Sequence, residues 1–419
     1  MTSPHATSPT DKRLLLVLDE VNCGGAELSF FALAGALAGR CSVHLVLSQA
    51  SLQNPTIKSL ADSLRNSSVA VHTCRALLYP GTAANLHRWL RRSAARELAD
   101  LIRDVNPEAI VVNLPTVERG QSALDAAVLA ESSASVWGLL HLAQPPSELA
   151  AKLGKLRDLM VPGLLRRFEG LMTVSAVGAR EVSREYRLHT PEVLHPPSAS
   201  VRPQVPTQHR SARRAAERLP DTFLLGIVGR VQIHQKGHDA ALRLTRRLLD
   251  AGGSMHLVVV GDGPDSAMVR KMSEQLGLDD AVTFMGWRED AADLIPLLSA
   301  VVMPSRYEGM PLVALQAAAA GVPVTGFAVD GLGELLPQGF AVRPGDELAL
   351  KDVVSALAQG SLHWPTEELS ARARAWSSPE NAAERLLQIL RWQNSAPGRR
   401  DGSARLAQDA EGTEEVFPR

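Results

Sequence analysis

The feature that most restricts the fold of this 419-residue chain is its alternation of short apolar runs with longer amphipathic stretches. Leu14–Leu18 is apolar throughout, the pattern of a strand buried on both faces. Gly24 and Gly25 follow, then a helical stretch from about Ala26 to Leu37. Further strands are expected at Cys41–Leu47, Ser68–His72, Ala109–Asn113, Ser135–Leu140 and Leu171–Val174. The rhythm restarts at Phe223–Val228 and continues through His256–Val260, Val282–Met285, Ala300–Met303 and Val322–Gly326. Repeated β-α-β predicts parallel sheets with helices on both faces. The chain is too long for one core. The expected architecture is therefore α/β, with two doubly wound, Rossmann-like domains facing across a cleft. In such sheets ligands sit at the carboxyl ends of the strands.

The prolines divide the chain. Pro196, Pro197, Pro203, Pro206 and Pro220 mark residues 196–220 as an interdomain linker. This leaves a first domain over 13–195 and a second over 221–394, whose final helix is able to pack back on the first. Residues 1–12 are expected to be a flexible N-terminus and 395–419 a disordered tail.

Charge and cysteine usage exclude several function classes. Lys and Arg total 44 against 45 Asp and Glu, so no global basic field exists to hold nucleic acid. The cysteines Cys23, Cys41 and Cys74 form no CxxC pair, which fits a reducing compartment and no zinc knuckle. Met1–Lys12 lacks the layout of a secretory signal, and no apolar run nears the roughly 18 residues needed to span a bilayer. A cytoplasmic location is expected, with any membrane contact peripheral, at the inner face. Two basic stretches bear on that contact. Leu86–Arg103 carries Arg88, Arg91, Arg92 and Arg96 beside Trp89, Leu90 and Leu98. Leu149–Phe168 sets Lys152, Lys155, Arg157, Arg166 and Arg167 among leucines. Each reads either as a helix resting on anionic lipid or as one with a buried stripe and a solvated face.

The densest chemistry lies between Gly226 and Glu334. The strand at Phe223–Val228 ends in Gly229-Arg230, with Lys236-Gly237 six residues on. A fork-shaped and a point-like cation on one loop suit a diphosphate, although exposed loop cations are the plainer alternative. Val258–Val260 runs into Gly261-Asp262-Gly263-Pro264, either a donor-binding loop or a tight turn after the strand. At Gly286-Trp287 the glycine lets a flat base approach the backbone, and Trp287 either stacks on it or packs. The sharpest segment is Ser305-Arg306-Tyr307-Glu308-Gly309-Met310-Pro311-Leu312. A helix is expected from Pro311, with the free N–H groups of Leu312 and Val313 suited to a phosphate and Gln316 one turn further in. Glu308 alone also reads as a carboxylate satisfying a helix start.

In the first half, Gly24-Gly25-Ala26-Glu27 opens a helix and offers backbone N–H groups, or is simply a tight turn. Glu27 reads as a helix-start carboxylate. His141 ends a strand facing the cleft, where it is either structural or able to bond a ligand hydroxyl or carry a proton.

Taken in order, these motifs resemble the retaining glycosyltransferases of the GT-B fold, in particular glycosyltransferase family four (glycosyl transferases group 1). The family pattern is Gly-Arg…Lys-Gly, Gly-x-Gly-Pro, Glu-Gly-(Phe/Met)-x-Leu with a second Glu eight residues after the first, and Gly-x-Pro-Val. The resemblance is dense over the second domain and thinner over the first. It implies that Arg230 and Lys236 hold the donor diphosphate, Glu308 bonds the donor sugar, and the N–H groups of Leu312 and Val313 bind phosphate. By the same resemblance His141 lies beside the donor sugar, the Gly24-Gly25 loop reaches the phosphates, and position 316 contacts the ribose. Here Gln316 replaces the second acid, so that hydrogen bond loses its charge assistance. Ser299-Ala300 and Leu194-His195-Pro196-Pro197 also depart from the pattern.

The activity implied is transfer of a sugar from a nucleotide-diphosphate sugar, UDP-linked first and GDP-linked second, to a glycan or lipid-linked acceptor. No cofactor or metal is implied. Asp279-Asp280 is not an Asp-x-Asp site, and Arg230 with Lys236 supply the charge a metal would. Two rivals share the fold: a degenerate protein that binds nucleotide or glycan without turnover, and a sugar-nucleotide epimerase or phosphorylase.

Overall fold

The computed structural model describes residues 12–75, 88–149 and 153–392. The first sheet contains β1 Arg13–Leu18, β2 Ser42–Ser48, β3 Val69–Cys74, β4 Ala109–Thr116, β5 Ser135–Leu142, β6 Gly170–Thr173 and β7 Glu192–Val193. The second contains β8 Phe223–Val228, β9 Met255–Val260, β10 Val282–Gly286, β11 Ala300–Met303, β12 Val324–Phe327 and β13 Ala341–Val342. The strand orders are β3-β2-β1-β4-β5-β6-β7 and β10-β9-β8-β11-β12-β13. β1 pairs in parallel with both β2 and β4, and β8 with both β9 and β11. The expected architecture is therefore the one observed.

Why these runs become central strands is visible in their burial. Leu14, Leu16 and Leu18 face one apolar cluster and Leu15 and Val17 face another, so β1 buries both faces. A run without a polar residue has no other stable place in an α/β layer. In each sheet the order reverses at one point, between β1 and β4 and between β8 and β11. The loops leaving strands at such a point diverge and open a crevice for ligand.

The Pro379–Ile389 helix packs against the Gly25–Leu37 helix, so one apolar cluster runs from Leu14 to Leu390. Part of the stretch read as linker is structured: Thr207–Ala216 is a helix. Its Arg214, only 6% exposed, donates to the carbonyl oxygens of Leu297 at 2.8 Å and Thr222 at 3.1 Å. Carbonyls on the second domain anchor this guanidinium. The two-residue strands β7 and β13 are too short to show a period. Residues 1–11, the tail at 395–419, the Leu86–His87 start of the first basic stretch and that helix's side chains at 88–94 lie outside the described residues. Among the described residues no helix is long and apolar enough to cross a membrane.

Candidate active site

The loops leaving β8, β9 and β10 brace one another. Gly229 N–H donates to the Val260 carbonyl at 2.9 Å, Val231 to Asp262 at 3.0 Å and Gly261 to Gly286 at 2.8 Å. A Cβ on Gly261 would lie 1.9 Å from the Gly229 oxygen, and one on Gly263 2.3 Å from the Val231 oxygen. These two glycines are thus required by loop-on-loop packing. Gly286 differs. It has a φ of +67° and open space where a side chain would be, while Trp287 is 54% exposed rather than packed.

This frame presents the cations. Arg230 is exposed and forms no ion pair among the described residues. Lys236 ends the short Ile233–Lys236 helix, and its Nζ lies 2.7 Å from Glu308 Oε1. The Glu308 side chain is only 6% exposed, so this is a buried carboxylate compensated by one partly exposed lysine.

Glu308 sits between β11 and the Leu312–Ala319 helix. Pro311 is the N-cap residue rather than the first helical one, and Leu312 opens the helix. The Leu312 and Val313 N–H groups precede the first intrahelical acceptor and carry the positive end of the dipole. The Gly25–Leu37 helix begins opposite, where a Cβ on Gly25 would be 3.5 Å from Leu312 Cβ. Two helix starts from different domains therefore converge. Glu27 Oε2 accepts the Gly24 N–H at 2.8 Å. Burial pushes the Glu27 carboxyl up to about 7, opposed in part by its backbone hydrogen bonds and the nearby charge of Arg230. Met310 is buried behind the loop.

Gln316 is buried and its Nε2 donates to Ser198 Oγ at 3.0 Å. One helical turn carries its side chain to the domain-connecting segment, leaving its carbonyl oxygen as the remaining contact.

Across the cleft, His141 lines the same small space as Glu308 and Gly309. Its Nε2 lies 2.8 Å from Asn113 Oδ1, and burial pushes the imidazole down to about 4. A neutral ring at physiological pH orients ligands by hydrogen bonding. The approach here is close, since a Cβ on Gly309 would be 2.1 Å from the His141 carbonyl oxygen.

Four polar residues complete the cleft that sequence reasoning did not single out. Asn113 holds His141. Asp330 Oδ2 accepts the Glu308 N–H at 2.6 Å, and its Oδ1 accepts Gln144 Nε2 from the first domain at 2.7 Å. Burial pushes the Asp330 carboxyl up to about 7. Glu334 Oε2 accepts the Ala176 and Val177 N–H groups at 2.8 and 3.1 Å, at the start of the Ala176–Tyr186 helix. None of the four stands in a pattern of period or motif. Among the described residues no group of three His, Cys, Asp or Glu side chains is placed to hold a metal ion.

Two Rossmann-like domains whose switch points face each other define the GT-B fold, and this chain has that fold. Residues 222–360 match the family model described as glycosyl transferases group 1. The chain is 32% identical over 137 residues to 2-deoxystreptamine glucosyltransferase of Streptomyces kanamyceticus, covering 30% of this chain and 35% of that protein. It is 30% identical over 250 residues to D-inositol 3-phosphate glycosyltransferase of Streptomyces scabiei, covering 56% and 53%. Among solved structures, Anabaena HepE in complex with UDP and glucose superposes with a TM-score of 0.73 at 16% identity, covering 91% of this chain and all of that one. Sucrose-phosphate synthase of Thermosynechococcus elongatus gives 0.72 at 18% identity, covering 91% and 98%. The chain spans about a third to a half of the length of the curated relatives it matches.

Proposed function

We propose that this protein is a retaining glycosyltransferase of the family-four type, which moves a sugar from a nucleotide-diphosphate donor to an acceptor hydroxyl. The observation that carries the reading is the buried Lys236–Glu308 pair, set between an unpaired Arg230 and two converging helix starts, with His141 opposite. The diphosphate would lie across the Leu312 and Val313 N–H groups, with Arg230 and Lys236 neutralising the charge that grows as the nucleotide leaves. Glu308 would hold a donor-sugar hydroxyl and His141 would orient the ring. The acceptor oxygen would attack the anomeric carbon on the face the phosphate leaves. Its proton would pass to the departing phosphate oxygen, so the anomeric configuration is kept. No metal enters this scheme, because the two cations and the helix starts provide the positive potential.

A UDP-sugar is the first donor candidate and a GDP-sugar the second. The UDP, UDP-glucose and UDP-plus-glucose complexes of HepE support the first. A glycan or lipid-linked saccharide is the proposed acceptor. The glycosyltransferases it matches carry names as different as 2-deoxystreptamine and D-inositol 3-phosphate, so the acceptor is read in the first-domain loops rather than the fold. One observation favours work at a lipid surface. Leu153, Leu156, Leu159 and Met160 are 72%, 60%, 79% and 44% exposed, beside exposed Lys155 and Arg166, so this part of the second basic stretch does not bury its leucines.

The test is a thermal-shift panel of UDP-, GDP- and ADP-sugars, then NMR of the product anomer with acceptors. One nucleotide class should raise the melting temperature, and the product should retain configuration. Failure of every donor to stabilise the protein, or an inverted product, would refute the proposal.

A further inference from the structure

The residues bridging the cleft carry more than packing. Asp330 is a non-glycine residue with a φ of +41°, a backbone conformation that costs energy unless the surroundings impose it. What imposes it is a pair of hydrogen bonds, one carboxylate oxygen on the Glu308 N–H and the other on Gln144 Nε2. The next residue continues the grip, since Gly331 N–H donates to the Gly309 carbonyl at 2.8 Å. A Cβ on Gly331 would lie 2.4 Å from that oxygen, so the Asp330–Leu335 helix start and the Glu308 loop fit backbone to backbone. Gln144 is 8% exposed, and its Oε1 is buried with no hydrogen-bond partner. An ionised Asp330 only accepts, so it forces the amide NH₂ toward itself and leaves that oxygen over. Gln144 lines the same space as His141, Glu308 and Gly309. A buried acceptor without a donor is costly, and a ligand hydroxyl brought into that space removes the cost.

Resting on the transferase reading above, we propose that Gln144 Oε1 accepts a hydrogen bond from a donor-sugar hydroxyl, and that Asp330 is the positioning residue that aims both Gln144 and Glu308 at that sugar. The pair makes sugar recognition depend on contact between the domains, because one partner comes from each. Neither touches the nucleotide half of the site, which is built from Arg230, Lys236 and the start of the Leu312–Ala319 helix.

The test separates sugar recognition from nucleotide recognition. Calorimetry measures UDP and the stabilising UDP-sugar against the full chain at about pH 8, where Asp330 is ionised. Asp330→Asn keeps one oxygen for the Glu308 N–H and turns an NH₂ toward Gln144, whose amide flips its Oε1 onto that NH₂ and leaves no acceptor for the sugar. Adding Gln144→Glu supplies one oxygen to that amide, with a second oxygen left for the sugar. Expected for Asp330→Asn and for Gln144→Met is a loss of about tenfold in UDP-sugar affinity, with UDP affinity within about twofold of wild type. The turnover number should fall by a similar factor. The double variant Asp330→Asn/Gln144→Glu should recover UDP-sugar binding to within about threefold. Equal losses for UDP and UDP-sugar, unchanged UDP-sugar binding, or no recovery in the double variant would overturn the assignment. Should Asp330→Asn fold poorly, Gln144→Met carries the same comparison without touching the strained backbone. A wild-type protein that binds UDP-sugar no better than UDP and transfers nothing would instead sink the transferase reading.

Discussion

Gly309→Ala strikes a close backbone approach between the two domains. The added Cβ would lie 2.1 Å from the His141 carbonyl oxygen and 3.0 Å from Val174 Cγ2, both on the first domain. The nearer atom is backbone at a strand end and cannot swing aside. Ordinary contact begins near 3.4 Å, so the Glu308 loop and the end of β5 must separate by 3.4 − 2.1, about 1.3 Å. A misplacement of about 1 Å between groups that hold a reacting sugar costs on the order of 100-fold, or about 2.7 kcal/mol of barrier. Gly309 is not in the left-handed region, so alanine brings no backbone strain and the fold should survive. UDP affinity should hold, because Arg230 and the Leu312 and Val313 N–H groups stay on the second domain. The assay is steady-state nucleotide release with the preferred donor and acceptor, alongside UDP calorimetry. Gly163→Ala is the control, since nothing lies within 4 Å of its would-be Cβ. Turnover within about threefold of wild type would refute the claim that the observed approach of Gly309 to His141 is the working one.

The two cleft cations, Arg230 and Lys236, should separate by stability. Lys236→Ala and Arg230→Ala should each lower turnover about 100-fold. Lys236→Ala should also lower the melting temperature by several degrees, because it strands the buried Glu308 carboxylate at a cost of about 3 kcal/mol, whereas exposed Arg230 should leave it unchanged. Adding Glu308→Gln to Lys236→Ala should recover the melting temperature and not the turnover; equal melting temperatures for the two single variants would contradict the pairing. His141→Ala should cost 10–100-fold in rate, and the wild-type pH–rate profile should show no inflection near 6.5, since burial holds this imidazole down at about 4. The sign for stability follows: the unfolded chain takes up the proton near pH 6.5 and the native protein only near 4, so His141 weakens the fold by roughly 3 kcal/mol as pH falls across that window. Melting curves of wild type and His141→Ala between pH 7 and 4 should converge as pH falls, and a neutral-pH inflection lost in the variant would make His141 a proton carrier.

Much of this architecture is legible in the chain itself, because the physics involved is local. An apolar run such as Phe223–Val228 can only be a central strand, and its observed bounds are those read from the sequence. The loops that follow strands inherit their place at the cleft from the parallel topology, so the strand-end positions of Arg230, Lys236, Glu308 and His141 follow from the alternation. Spacing places Gln316 eight residues after Glu308 but says nothing of its hydrogen bond to Ser198, a partner 118 residues away.

Tertiary structure alone decided how the halves meet. Asp330 and Gln144 are 186 residues apart, and Glu334 is 158 residues from the helix start it satisfies at Ala176. A hydrogen bond needs its groups within about 3 Å in space but places no condition on their separation along the chain. Such pairs leave no period, run or motif behind. The sequence thus determined two sheets, their helices and the loops that carry charge, since each follows from burial patterns a few residues long. Whether a given carboxylate is paired, strained or aimed at a neighbour depends on which distant backbone packs against it, and only the folded chain settles that.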